Sequence, residues 1–103
     1  MNLTTEQKKI YRGIGHHLNP VVTIASNGLT EAVLTEVDRA LEDHELIKVK
    51  VSVGDRVLRA QVIEQMCSDT RATLVQTIGN IALILRRAKK PNTKLSNLSR
   101  FKN

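Results

Sequence analysis

Residues 44–51 read HELIKVKV, and this stretch decides the fold. From residue 46 to residue 53 apolar side chains occupy every second position, which is typical of a β-strand with one buried face. The apolar positions are Ile47, Val49, Val51 and Val53. Lys48 and Lys50 point to the other side. The sequence therefore predicts a strand with one buried face and one basic, open face.

Helical patterns flank this strand on both sides. Upstream, apolar residues recur every three or four positions from about Leu29 or Thr30 to Asp43, and the outer face of this helix is acidic. The acidic residues are Glu31, Glu36, Asp38 and Glu42. Downstream, Asp55 can cap a third helix that runs to about Ser68. Its inward positions are predicted to be Leu58, Val62, Ile63 and Met66.

Further outward the pattern alternates between helix and strand. Thr4, with Gln7 three residues later, predicts the capping box of a first helix that ends before Pro20. This helix should bury Ile10 and Ile14, with Tyr11 as a further candidate. The β-prone run 21–24 predicts a buried strand, and Gly79-Asn80 predicts a hairpin between strands 73–78 and 81–85. The fold class is α/β, in the order α-β-α-β-α-β-β, although the pattern does not give the order of strands in the sheet.

Composition indicates one domain with an aliphatic core. The 103 residues are 41% hydrophobic but only 2% aromatic. The net charge of +6 lies entirely near the C-terminus, because residues 1–85 hold nine basic and ten acidic residues whereas the rest hold seven basic and none acidic. We therefore predict a domain over residues 1–87 and a basic, flexible tail over residues 88–103.

Several basic residues are candidates for contacts with phosphate. Acidic residues avoid the first helix after Glu6 and crowd the second, so the charges are segregated between two faces. The predicted contact residues are Lys8, Lys9, Arg12, His16, Lys48, Lys50, Arg86 and Arg87. Since Tyr11 and Phe101 are the only aromatic residues of the Phe, Tyr and Trp type, we expect contacts to phosphate and sugar rather than base stacking.

The turn before the second helix is a further candidate. Ser26, Asn27 and Gly28 come between a strand and a helix start, where backbone N–H groups and the helix dipole favour an anion. An ordinary turn with a helix cap explains the same residues, so both interpretations stay open.

Other classes of function find little support. His16 and His17 are adjacent and diverge by about 100° on a helix, so they form no chelating pair, and the single Cys67 makes neither a zinc pattern nor a disulfide. The sequence has no G-x-S-x-G or P-loop motif. It also has no apolar run long enough to span a membrane. We expect no enzyme activity, no cofactor, no small-molecule substrate and no membrane partner, and a monomer in the cytoplasm.

Four motifs together resemble one family. They are Asn19-Pro20-Val21-Val22, residues 26–31 (SNGLTE), residues 45–51 (ELIKVKV) and residues 75–79 (VQTIG). In order and spacing they resemble the CRM domain, the module of chloroplast RNA splicing and ribosome maturation proteins, and most closely its stand-alone bacterial YhbY-type members. The resemblance covers about residues 3–86.

The resemblance implies a KH-like fold with a four-stranded mixed sheet and RNA binding. For the single-domain bacterial members it also implies association with rRNA in precursors of the large ribosomal subunit. The family's GXXG loop falls on residues 25–28, where Ala25 replaces the first glycine. If that position needs a positive φ, RNA affinity should be lower. At the last strand, Leu85 replaces the family's tyrosine, and Arg86 remains.

The resemblance thus implies an RNA-binding assembly factor of the large ribosomal subunit. Two alternatives to this role follow from the charge pattern. One is a general RNA or nucleic-acid chaperone whose binding depends on the basic tail. The other is a protein-interaction module in which the acidic second helix binds a basic partner.

Overall fold

The computed structural model describes residues 3–101. The predicted α/β fold is confirmed: the helices and strands follow the predicted order, and a short fourth helix is added near the C-terminus. The helices are α1 (Thr5–Gly15), α2 (Glu31–His44), α3 (Arg56–Thr70) and α4 (Asn97–Arg100). The strands are β1 (Pro20–Ile24), β2 (Leu46–Val51), β3 (Thr73–Ile78) and β4 (Ile81–Leu85).

Local signals in the sequence explain where these elements begin. Thr4 Oγ1 accepts a hydrogen bond from Gln7 N at 3.1 Å, and Gln7 Oε1 accepts one from Thr4 N at 3.0 Å, which is the predicted capping box. Asp55 caps α3 as predicted, and Thr30 caps α2. The hairpin turn lies between β3 and β4, where Gly79 has a φ of 57°.

The four strands form one mixed sheet in the order β1-β2-β4-β3. β1 pairs parallel with β2, and β4 lies antiparallel between β2 and β3. The prediction that the whole run 21–24 is buried was wrong, because α2 covers one face of β1 while the other face is exposed. Val22 and Ile24 are buried against α2, whereas Val21 and Thr23 point away from that helix and are exposed.

Each face of the sheet has its own hydrophobic cluster. The first cluster lies between the sheet and helices α2 and α3, and it includes Ile24, Val37, Leu41, Ile47, Val49, Val51, Ile63, Met66 and Ile84. The second lies under α1 and consists of Tyr11, Ile14, Leu46, Val75, Leu83 and Leu85. Because side chains alternate along β2, Ile47 joins the first cluster and Leu46 the second. The face of β2 that carries the lysines is therefore covered at one end and open at the other.

Two predicted core residues lie at the surface. Ile10 is 50% exposed and Leu58 is 44% exposed. The sheet-facing side of α1 is formed by Tyr11, Ile14 and Gly15, so Ile10 falls on the flank of the helix. The buried residues of α3 begin only at Ile63, so its first turn lies beyond the core.

The segment after β4, for which the sequence predicts a flexible tail over residues 88–103, lies against the body in the structure. Its anchor is Glu45, which is only 3% exposed. One carboxylate oxygen of Glu45 accepts a hydrogen bond from Ala88 N and the other accepts one from Ser96 Oγ, each at 2.7 Å. Asn97 Nδ2 donates to the carbonyl oxygen of Leu46 at 2.6 Å.

Apolar packing and one further polar contact complete this arrangement. Leu98 and Phe101 pack against the second hydrophobic cluster, and His44 Nδ1 lies 2.9 Å from the carbonyl oxygen of Leu95. The polar and basic composition of the segment predicts flexibility. A buried carboxylate that requires donors makes such a polar segment part of the fold. The last two residues of the predicted tail lie outside the described range.

Candidate nucleic-acid interface

Helix α1 lies very close to the sheet at its C-terminal end. A Cβ atom added to Gly15 would come within 2.6 Å of Leu83 Cδ2, so only glycine fits this position without a shift of a buried side chain. This close contact brings one flank of α1 down beside the lysine-bearing face of β2.

The flank of α1 and the sheet enclose a cavity of about 400 Å³. It is lined by Lys9, Arg12, Gly13, Gly15, His16, Lys48, Gln76 and Ile78, and we call this set the basic groove. None of these lining residues is acidic, and Lys9 and Arg12 are exposed. Three cationic side chains from two separate elements thus converge on one concave surface, which favours a polyanionic ligand.

Two other predicted residues extend this surface without lining the cavity. Lys50 is exposed further along β2, on the same face as Lys48, and it pairs in the sheet with Thr23. Lys8 is exposed on α1, four residues before Arg12. Both lie on the side of the sheet that carries α1, so they add to its positive charge.

The turn over residues 25–28 follows β1 directly. Gly28 N donates a hydrogen bond to the carbonyl oxygen of Ala25 at 2.9 Å, and Gly28 has a φ of 76°. Ala25 has a negative φ, which any residue with a Cβ can adopt, so its side chain does not strain the loop. Ser26 and Asn27 are exposed at the tip of the turn. Thr23 of β1 lies beside Lys50 of β2, and the turn begins two residues after Thr23. The turn is therefore close to Lys50.

Arg86 is not part of the basic groove. Its guanidinium contacts Asp38 Oδ1 at 2.6 Å, Glu42 Oε2 at 3.2 Å and the carbonyl oxygen of Thr70 at 2.9 Å. Strand alternation explains this placement: Leu85 faces α1, so the next residue faces α2 and α3. The structure therefore places Arg86 away from the basic groove and pairs it with two acids of the predicted acidic face.

Arg87 lies on the other flank of α1. It donates a hydrogen bond to Tyr11 Oη at 3.1 Å, and this bond raises the pKa of Arg87 above its usual value. The two residues line a separate cavity of about 570 Å³ between α1 and the C-terminal segment. Arg87 is thus separated from the basic groove by the helix itself.

Other kinds of site have few candidate residues in the structure. Between Leu3 and Phe101, no three His, Cys, Asp or Glu side chains are grouped in a way that could hold a metal ion. Burial raises the pKa of the Cys67 thiol to about 11, which disfavours the reactive thiolate. None of the helices described is both long and apolar enough to cross a membrane.

Comparisons with known proteins agree on one family. The family model described as the CRS1/YhbY (CRM) domain matches residues 3–86. A Pseudomonas aeruginosa protein named as a probable RNA-binding protein is 54% identical over 98% of this chain and 97% of its own length. A Haemophilus influenzae protein named as an RNA-binding protein is 46% identical over 90% of this chain and 94% of its own.

A solved structure supports the fold independently. The solution structure of a hypothetical protein from Staphylococcus aureus superposes with a TM-score of 0.77 at 33% sequence identity. The match covers 91% of this chain and 97% of that protein. The agreement therefore extends over nearly the whole of both chains.

Proposed function

The chain belongs to the CRS1/YhbY (CRM) domain family, and from this premise we propose that it is an RNA-binding protein that contacts RNA phosphates through the basic groove. The observation that carries the proposal is the convergence of Lys9, Arg12 and Lys48 on one cavity without an acidic lining residue. The relatives named as RNA-binding proteins support RNA as the polyanion.

The surface suggests a path for the RNA backbone. From the basic groove, β2 leads from Lys48 to Lys50, and the neighbouring strand leads on to the turn at residues 25–28. A phosphate backbone along this line would meet side-chain cations first and the N–H groups of the turn last. Binding then depends mainly on the release of counterions, and it weakens as salt rises.

The finer proposal is that the RNA is ribosomal, within precursors of the large subunit. The resemblance to stand-alone bacterial YhbY-type proteins supports this assignment. The protein would act as an assembly factor in the cytoplasm, as a monomer, without catalysis and without a cofactor.

Sedimentation through a sucrose gradient tests this assignment. The protein, a double variant Lys9→Ala/Arg12→Ala and the control Arg39→Ala are each followed in lysate before and after ribonuclease. Arg39 is exposed on α2, so the control removes positive charge away from the groove. We expect co-migration with large-subunit or precursor particles for the wild type and the control, loss after ribonuclease, and a shift of the double variant to the top. Wild-type protein at the top in both samples would contradict the ribosomal assignment.

The two alternatives predict different results. A general nucleic-acid chaperone would bind duplex DNA about as well as RNA, so competition between the two separates it from the main proposal. A protein-interaction role for α2 has less support, because Asp38 and Glu42 already pair with Arg86. Charge reversal at Glu36 tests the remaining acidic surface.

A further inference from the structure

The C-terminal segment brings Phe101 beside the end of α1. The rings of Phe101 and His17 are nearly parallel, at an angle of 5° with centroids 5.9 Å apart. The ring of His16 lies edge-on to His17 with centroids 5.8 Å apart, and Arg100 Cζ lies 5.6 Å from the Phe101 centroid. We call these four side chains the ring cluster.

The ring cluster adjoins the basic groove, because His16 belongs to both. Next to His17, Arg100 and Phe101 lies a cavity of about 260 Å³, which Asn19 and Asn97 also line. Val21 and Ile47 contribute apolar surface to it. Flat rings and a guanidinium can stack on a base, and the exposed amide of Asn19 can form hydrogen bonds with its edge.

We propose that the ring cluster stacks on an unpaired base of an RNA strand whose phosphates lie in the basic groove. This inference rests on the proposed function and goes beyond it, because it assigns a base contact and a preference for single-stranded RNA. Bases within an A-form duplex are stacked on each other and cannot offer a face to the protein.

The position of the ring cluster in the chain makes it a distinct feature. Phe101 and Arg100 lie outside residues 3–86, the range matched by the family model. The hydrogen bonds from Ser96 and Asn97 fix the start of α4, and the ring of Phe101 follows at the end of that helix. The sequence has too few aromatic residues to predict base stacking, but folding places Phe101 next to His17, and the ring of His17 in turn contacts that of His16.

A tryptophan reporter tests for the stacked base directly. The protein contains no tryptophan, so Phe101→Trp introduces a single fluorophore at the ring cluster. The probes are a short oligouridine, an abasic strand of the same length and an RNA duplex of the same length. We expect oligouridine to quench the tryptophan, whereas the abasic strand and the duplex bind through phosphates without quenching.

Affinity measurements with unlabelled variants complete the test. Phe101→Leu keeps an apolar contact with the core, and His17→Ala changes an exposed residue. We expect each to weaken oligouridine binding about tenfold, from the loss of base stacking, and to leave duplex binding unchanged. Leu95→Ala, an exposed change in the same segment, serves as the control and should bind like the wild type.

The outcomes separate this inference from the proposed function. Equal quenching by oligouridine and the abasic strand, or unchanged affinity in Phe101→Leu and His17→Ala, would overturn the inference while the phosphate contacts stand. Failure of the wild type to bind any of the three probes would overturn both.

Discussion

The carboxylate of Glu45 accepts a hydrogen bond of 2.7 Å from Ser96 Oγ, although 51 residues separate them in the chain. Both side chains are buried. A buried carboxylate without its donors retains the full cost of desolvation, so this pair holds the C-terminal segment on the body.

Ser96→Ala tests this anchor. We expect it to lower the free energy of unfolding by about 1–3 kcal/mol, because Glu45 loses a donor that water replaces poorly. The measurement is urea denaturation, with limited proteolysis between residues 88 and 96 as a second readout. Ser68→Ala, an exposed change on α3, is the control. Equal stability of the two variants would contradict the anchoring role of Ser96.

Two glycines of α1 should respond in opposite ways to alanine. A Cβ atom added to Gly13 would meet open space, so Gly13→Ala should stabilise the helix by about 0.5–1 kcal/mol. Gly15→Ala would push its Cβ against Leu83, so it should destabilise the protein by about 1–3 kcal/mol. Thermal unfolding of both variants checks the pair. A similar gain in both would show that α1 does not approach the sheet as closely as the structure has it.

Alanine substitutions at Arg86 and Arg12 should affect different properties, the first lowering stability and the second lowering RNA affinity. Arg86→Ala removes hydrogen bonds to Asp38 and to the carbonyl oxygen of Thr70. We expect a loss of about 1 kcal/mol in the free energy of unfolding, since the acids themselves are largely exposed. Arg12→Ala should leave unfolding unchanged but weaken RNA binding. Denaturation and filter binding on both variants test this, and a larger loss of RNA affinity for Arg86→Ala would refute the placement.

The loop at residues 25–28 gives a further pair of variants. Since Ala25 has a negative φ, Ala25→Gly relieves no strain, and we expect its RNA affinity to match the wild type. Gly28 has a φ of 76°, so Gly28→Ala should cost about 1–2 kcal/mol of stability. RNA titrations and urea denaturation of the two variants check this. A clear gain in RNA affinity for Ala25→Gly would contradict this prediction and would show that the absence of glycine at position 25 limits binding.

The sequence predicted the elements well because their signals are local. The capping box at Thr4, the cap at Asp55 and the turn at Gly79 each act within a few residues, and all three are confirmed. The alternation around Lys48 likewise identified the basic side of β2. Strand order depends on which surfaces meet across the fold, so local signals do not predict the central position of β4.

The same limit applies to the placement of side chains at the candidate site. Charge alone groups Arg86 with the other basic residues, but its placement depends on which helices cover each face of the sheet, because alternation along β4 puts Leu85 towards α1 and Arg86 towards α2 and α3. The contact between His17 and Phe101 joins residues from the two ends of the chain. Glu45 does carry information about the C-terminal segment. Once this carboxylate is known to be buried, its need for hydrogen-bond donors predicts that another segment of the chain packs against it.

The most direct test of the basic groove is the salt dependence of RNA affinity for two triple variants with equal loss of charge. One is Lys9→Ala/Arg12→Ala/Lys48→Ala in the groove, and the other is Arg39→Ala/Arg56→Ala/Arg59→Ala on α2 and α3. With a fragment of large-subunit rRNA, the groove variant should lose affinity and its slope of log K against log salt should fall by about two to three. The control should keep a slope close to that of the wild type. If both variants changed equally, net charge and not the groove would explain binding, and the central claim would be contradicted.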